Sequence, residues 1–212
     1  MLRPVCHTRL FEVYCVGVDP RLCRAACEWI RRVGVDEIYE RVNPEAARIR
    51  QALNARIPVL IVNTRAEYSV LDEAGLEFEI EDLPQVVSEM EERGVDGMVY
   101  AGIGLVLVHP GEEERRVAAK AVEEAIHAAL LSNTLFIHTA TGRYLRDMDE
   151  WLVEEEAVHR LLYEHGLLTR DEYEATRRAY EEVYRETTGR EPPRDYQRLA
   201  EKLVRAIRGM EA

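Results

Sequence analysis

Along this chain the spacing of apolar residues switches between a period of two and a period near 3.6, and the switches coincide with Pro, Gly, Asp and Asn. Residues 10–16 (LFEVYCV) form a β-rich run. Gly17-Val18-Asp19-Pro20 ends it and opens a helix, with Asp19 as N-cap and Pro20 at the first helical position. Cys23, Ala26, Cys27, Ile30 and Val33 then recur at helical spacing until Gly34 stops the helix. A strand is predicted over 37–42, a second helix from its Asn43 cap and Pro44 to about residue 55, and a fully buried strand over 58–62 (PVLIV). Parallel strands need a crossover, usually a helix, so this β-α-β-α-β order predicts a parallel sheet.

Residues 66–80 alternate only in part, enough for one or two short strands, and residues 82–93 place Leu83, Val86, Val87 and Met90 on one helical face before Gly94. Residues 97–108 read as a long apolar strand interrupted at Ala101-Gly102, followed by a turn at His109-Pro110-Gly111, a long helix over 112–131 and a buried strand over 134–138 (TLFIH). GVDEIY at 34–39 and GVDGMVY at 94–100 echo one another as repeated loop chemistry rather than duplication. From residue 147 every segment is helical. Thr169 with Glu172 makes a capping box, Pro192-Pro193 separate the last helix, and Tyr196, Leu199, Leu203, Ile207 and Met210 form its stripe. The expected architecture is an α/β domain over 1–146, a mostly parallel, doubly wound, Rossmann-like sheet, with a helical extension over 147–212.

Charge narrows the function classes. The 212 residues carry a net charge of -12, which disfavours general nucleic-acid binding and anionic membranes. The longest apolar stretch, residues 98–108, is about half the ~20 residues of a membrane span. With no apolar leader pattern at the N-terminus, and with all four cysteines inside the first 27 residues, a reducing cytoplasmic setting is expected. Lys120 and Lys202 are the two lysines, so 28 - 2 = 26 basic residues are Arg, a thermophile-like balance.

In a parallel sheet, ligands gather outside the carboxyl ends of the strands, where helix N-termini also lie. Those ends place Asp19, Asn43, Asn63, Thr64, His109, His138, Thr139, Thr141 and Arg143 together. The set suits a small anionic ligand, a nucleotide or phosphate ester, with His138 or His109 moving a proton and Arg143 clamping the anion. Hydrolysis is the reaction class it would serve. No Gly-rich phosphate loop, G-x-S-x-G elbow or H-E-x-x-H motif sharpens this.

A divalent metal enters through helical spacing. Glu124 and His127 stand three apart, but the stripe Ala118, Ala121, Val122, Ala125 and Ala129 puts them on the opposite, solvated face. In the later helix, Glu155 falls inside the stripe of Met148, Trp151, Val158, Leu162 and His165, with His159 at its border. An acid in an apolar stripe needs a partner, and Glu155 with His159 are the candidate ligands, shared with His138 or His109.

Two resemblances and one further reading stand beside this. Arg160 and His165 resemble the R-x4-H arrangement of HEPN-type ribonucleases, which implies paired helical domains that cut RNA. The β-α-β-α-β order with Ile57-Pro58 before a buried strand is similar to the thioredoxin and glutaredoxin fold, which implies a thioredoxin-like N-terminal half and a second α+β or helical part. Asp19-Pro20-Arg21-Leu22 occupies the place of that family's C-x-x-C, and Cys23 and Cys27 share the apolar stripe. Finally, Tyr173, Tyr180 and Tyr184 at helical spacing suit a homo-oligomer or partner surface on the C-terminal helices.

Overall fold

The computed structural model describes residues 3–64 and 83–210. They form a mixed α/β fold, a five-stranded, mostly parallel sheet with nine helices among the described residues. Strands β1 (Cys6–His7), β2 (Phe11–Val16), β3 (Ile57–Asn63), β4 (Gly97–Tyr100) and β5 (Ile103–Val108) lie in the order β1-β2-β3-β5-β4. β2, β3 and β5 are parallel, while β1 and β4 run antiparallel at the two edges.

Both faces of the central strands are covered. Phe11, Val13, Ile57, Val59, Ile61, Val106 and Val108 belong to one core. Tyr14, Val16, Leu60, Val62, Leu105 and Leu107 belong to another, completed by Val87 and Met90 of α4 (Leu83–Glu92). Burial on both faces is why β3 and β5 read as unbroken apolar runs. The interruption expected at Ala101-Gly102 is a hairpin turn, both residues having positive φ (49° and 79°) as a two-residue type I′ turn requires.

The crossover from β2 to β3 departs from expectation. α1 (Pro20–Val33) begins as predicted, the Asp19 carboxylate accepting from the Arg21 backbone N–H, and ends at left-handed Gly34. Residues 37–42, expected as a strand, belong instead to helix α2 (Val35–Val42). Val35, Ile38, Tyr39 and Val42 are buried at i, i+3, i+4 and i+7, so the helical period wins over a short alternation. α2 also carries buried Asp36 to the β1–β2 turn, where it accepts from the Thr8 hydroxyl (2.7 Å) and the Leu10 N–H (3.1 Å). With α3 (Pro44–Leu53), capped by Asn43, the connection is β-α-α-α-β, which removes the strand order behind the thioredoxin-like alternative. Cys15 and Cys23 form a disulfide between β2 and α1 rather than remaining thiols.

The second correction concerns residues 134–138, expected as a buried strand. They lie at the start of helix α6 (Leu135–Thr141), closed by left-handed Gly142 (φ 67°). A short apolar run does not distinguish strand from helix by periodicity. The strands expected within 66–80 lie outside the described residues.

The third correction concerns α5 (Glu114–Leu131). It packs on β4, β5, α1 and α2 with one side and on α7 (Asp147–Glu164) with the other. Glu124 and His127, expected on a solvated face, are therefore buried. α8 (Arg170–Thr188) starts with the predicted capping box and α9 (Tyr196–Ile207) follows. Tyr173, Tyr184, Leu199, Leu203 and Ile207 are buried within the chain, so the faces expected to await a partner are largely used internally. No helix among the described residues is long and apolar enough to cross a membrane.

Candidate active site

Where α5 meets α7, each helix contributes the same pentapeptide pattern: Glu123-Glu124-Ala125-Ile126-His127 and Glu155-Glu156-Ala157-Val158-His159. On a helix, i and i+4 share a face, so Glu123 with His127, and Glu155 with His159, confront each other across the interface. Nε2 of His159 lies 3.1 Å from Oε1 of Glu123, and Nε2 of His127 lies 3.3 Å from Oε2 of Glu155. The other ring nitrogens are held from behind. Nδ1 of His127 is 2.8 Å from the Glu154 carboxylate, and Nδ1 of His159 donates to the Glu155 carbonyl at 2.6 Å. His127 Nε2 and Glu155 Oε2, both fully enclosed, make no hydrogen bond. Their 3.3 Å separation is within ion-pair reach but outside hydrogen-bond geometry.

Burial and charge compete throughout this cluster. Burial works against charge on His127, but Glu155 and then Glu154 hold its pKa well above the usual imidazole value. His159 is likewise opposed by burial and raised by Glu123 to about 9. Burial opposes ionisation of Glu123, and His159 outweighs it, leaving the carboxylate below its ordinary value. For Glu124 burial prevails and raises the carboxyl well above it.

The cluster borders a cleft of about 510 Å³, walled by the 94–97 turn, α5 and α8 and reaching Glu123 and His159. Most charges on its walls are already committed. Lys120 is held by Glu112 (2.6 Å) and Asp96 (3.1 Å), and Glu172 by Arg115 (2.9 Å) and its capping box. Arg116 is exposed on the wall and has no acidic partner among the described residues. Tyr180 of α8 packs against the His159 ring with centroids 5.1 Å apart. Gly97 leaves room for the Glu124 carboxyl group: a Cβ there would stand 2.6 Å from Glu124 Oε1 and displace it.

The residues proposed from sequence are divided among several places. Asp19 and Asn43 cap α1 and α3, and Asn63 donates to the Gly17 carbonyl (2.9 Å). The Thr64 N–H donates to Val108 O (3.1 Å). His109, just beyond β5, lies 2.7 Å from Asp96, which lines the cleft, so it is tied to the cleft through one carboxylate. His138, Thr139 and Thr141 lie on α6 rather than at a strand end. His138 Nδ1 accepts from the Leu145 N–H (2.9 Å) and its Nε2 is 3.2 Å from Glu150. Thr141 donates to Ile137 O (2.8 Å), and Arg143 pairs with Asp195 (3.0 Å). Glu155 and His159 do come together, with Glu123 and His127 as their companions instead of His109 or His138. Arg160 is paired with Glu156 (3.6 Å), while His165, pushed down by burial and Arg208, borders a different groove. Glu123 and Glu154 carry no expectation from sequence, while His127 is expected on a solvated face and Tyr180 on a partner surface, although the repeated E-E-A-[IV]-H segment is visible in the sequence. No protein-family model, curated protein or solved structure matches this chain.

Proposed function

We propose that this protein binds a small anionic molecule, a nucleotide or phosphate ester, in the cleft beside α5 and α8, with hydrolysis as the reaction it serves. The observation that carries the reading is a cleft of about 510 Å³ that reaches buried His159 and half-buried Glu123 and has Arg116 as an uncommitted cation on its wall. Three of the four acidic residues that line it are paired, Asp96 with Lys120 and His109, Glu172 with Arg115 and Glu123 with His159, and burial pushes the carboxyl of the fourth, Glu124, well above its ordinary pKa. In this reading the parallel strands are a Rossmann-like nucleus with α7–α9 as an added helical layer, and His109 influences the cleft through Asp96.

The test is calorimetric titration with AMP, ribose 5-phosphate and inorganic phosphate. Saturable binding that weakens roughly tenfold in Arg116→Ala is expected, the loss of one charge-assisted contact. Binding unchanged in Arg116→Ala, or no binding of any of the three, overturns it.

A further inference from the structure

We propose that Glu123, His127, Glu155 and His159 hold a divalent transition-metal ion between α5 and α7. One donor atom from each of Glu123, His127 and Glu155 lies within 4.8 Å of the others. An ion with bonds of about 2.0–2.2 Å separates its ligands by roughly 3–4 Å, so small side-chain adjustments close the set around it. His159 Nε2, 3.1 Å from the Glu123 carboxylate, supplies the fourth donor.

The unpartnered atoms point the same way. His127 is only 7% exposed, and its Nε2 has no hydrogen bond despite standing beside the equally unpartnered Glu155 Oε2. A polar pair left unmatched in the interior calls for a positive charge between its members, a ring proton or a metal ion. The opposite edges of the two rings favour the metal. A carbonyl oxygen can only accept, so His159 carries its proton on Nδ1 and turns Nε2 toward Glu123. Glu154 does the same for His127, and a carboxylate behind a histidine is the usual outer shell of a metal-bound imidazole.

Charge and access fit as well. Two carboxylates and two neutral imidazoles balance a dication. Nitrogen donors favour a borderline ion such as Zn2+ or Co2+ over the harder Mn2+, Ca2+ and Mg2+. Because Glu123 and His159 line the cleft, the ion would have one side open to it. The inference thus deepens the cleft reading and rests on it for that open side alone.

The experiment uses the full chain stripped with EDTA and titrated calorimetrically with Zn2+, Co2+ and Mn2+, with bound metal counted after desalting. We expect one ion per chain, Zn2+ and Co2+ binding tighter than Mn2+, and visible absorption bands from bound Co2+. His127→Ala combined with Glu155→Gln is expected to abolish both signals while circular dichroism stays native, and His138→Ala to retain them. If the double variant does not fold, His159→Gln replaces it with the same expected loss. No stoichiometric binding of any of the three ions, or wild-type binding by a folded double variant, overturns the proposal. Anion binding that survives without metal leaves the cleft reading standing, and metal binding without anion binding does the reverse.

Discussion

The two E-E-A-[IV]-H segments are nearly identical in sequence and differ in what their middle glutamates do. In both, the first glutamate and the histidine face the opposing helix. Glu156 is turned into a polar network, accepting from the Tyr173 hydroxyl (2.5 Å) and from Arg177 Nε (3.2 Å). Glu124 makes no hydrogen bond or ion pair among the described residues and lies under Gly97 at the cleft. One motif therefore splits into a shared site, a structural anchor and an unpaired acid on the cleft wall. The neighbours decide which: α8 reaches Glu156 with Arg177 and Tyr173, whereas β4 offers Glu124 only a glycine.

The strongest way to break this contrast is Arg177→Met. It removes the nearer of the two guanidinium groups beside buried Glu156 and leaves Arg160 at 3.6 Å and the Tyr173 hydroxyl, so a loss of about 2 kcal/mol is expected in urea unfolding with EDTA present. Metal and anion binding by the folded variant should not change. A loss under about 1 kcal/mol would mean that Glu156 is not the anchor described here.

A smaller effect separates the two histidines. His127 is oriented by a replaceable side chain, Glu154, and His159 by its own helix backbone. Glu154→Gln should therefore weaken metal binding about tenfold, or about 1.4 kcal/mol, with the ion count unchanged. Unaltered affinity by calorimetry would show that Glu154 does not orient the ring.

These contrasts were only partly legible in the residues. Helix starts and stops were: Asp19-Pro20, Gly34, Asn43-Pro44 and Thr169 with Glu172 are local devices whose chemistry is complete within a few positions. Residues 37–42 and 134–138 were misread because five or six apolar-rich residues fit either period. The site was half visible. Glu155 stands out as an acid within an apolar stripe, but a single apolar stripe on α5 implies only one buried face. α5 is enclosed on two sides, by the sheet layer and by α7, so its second buried face is polar and looks solvated from sequence. Its companion α7, thirty-two residues later (155 - 123 = 32), is brought against it by tertiary packing, which no local pattern encodes.

The smallest expected effect is the most diagnostic of the wall residue. Burial raises the Glu124 carboxyl well above its ordinary 4.5, so the folded protein keeps a proton that the unfolded chain releases above that value. Stability from this residue is then greatest below about 4.5 and declines as pH rises toward the folded-state value, the reverse of an ion-paired acid. Glu124→Gln carries a near-isosteric neutral group and has no such decline. In chelator, it should differ from wild type by less than about 1 kcal/mol near pH 4.5 and gain on it steadily as pH is raised above that value. Parallel curves over that range would mean that Glu124 is ionised in the fold, and that it shares the charged role of Glu156 instead of contrasting with it.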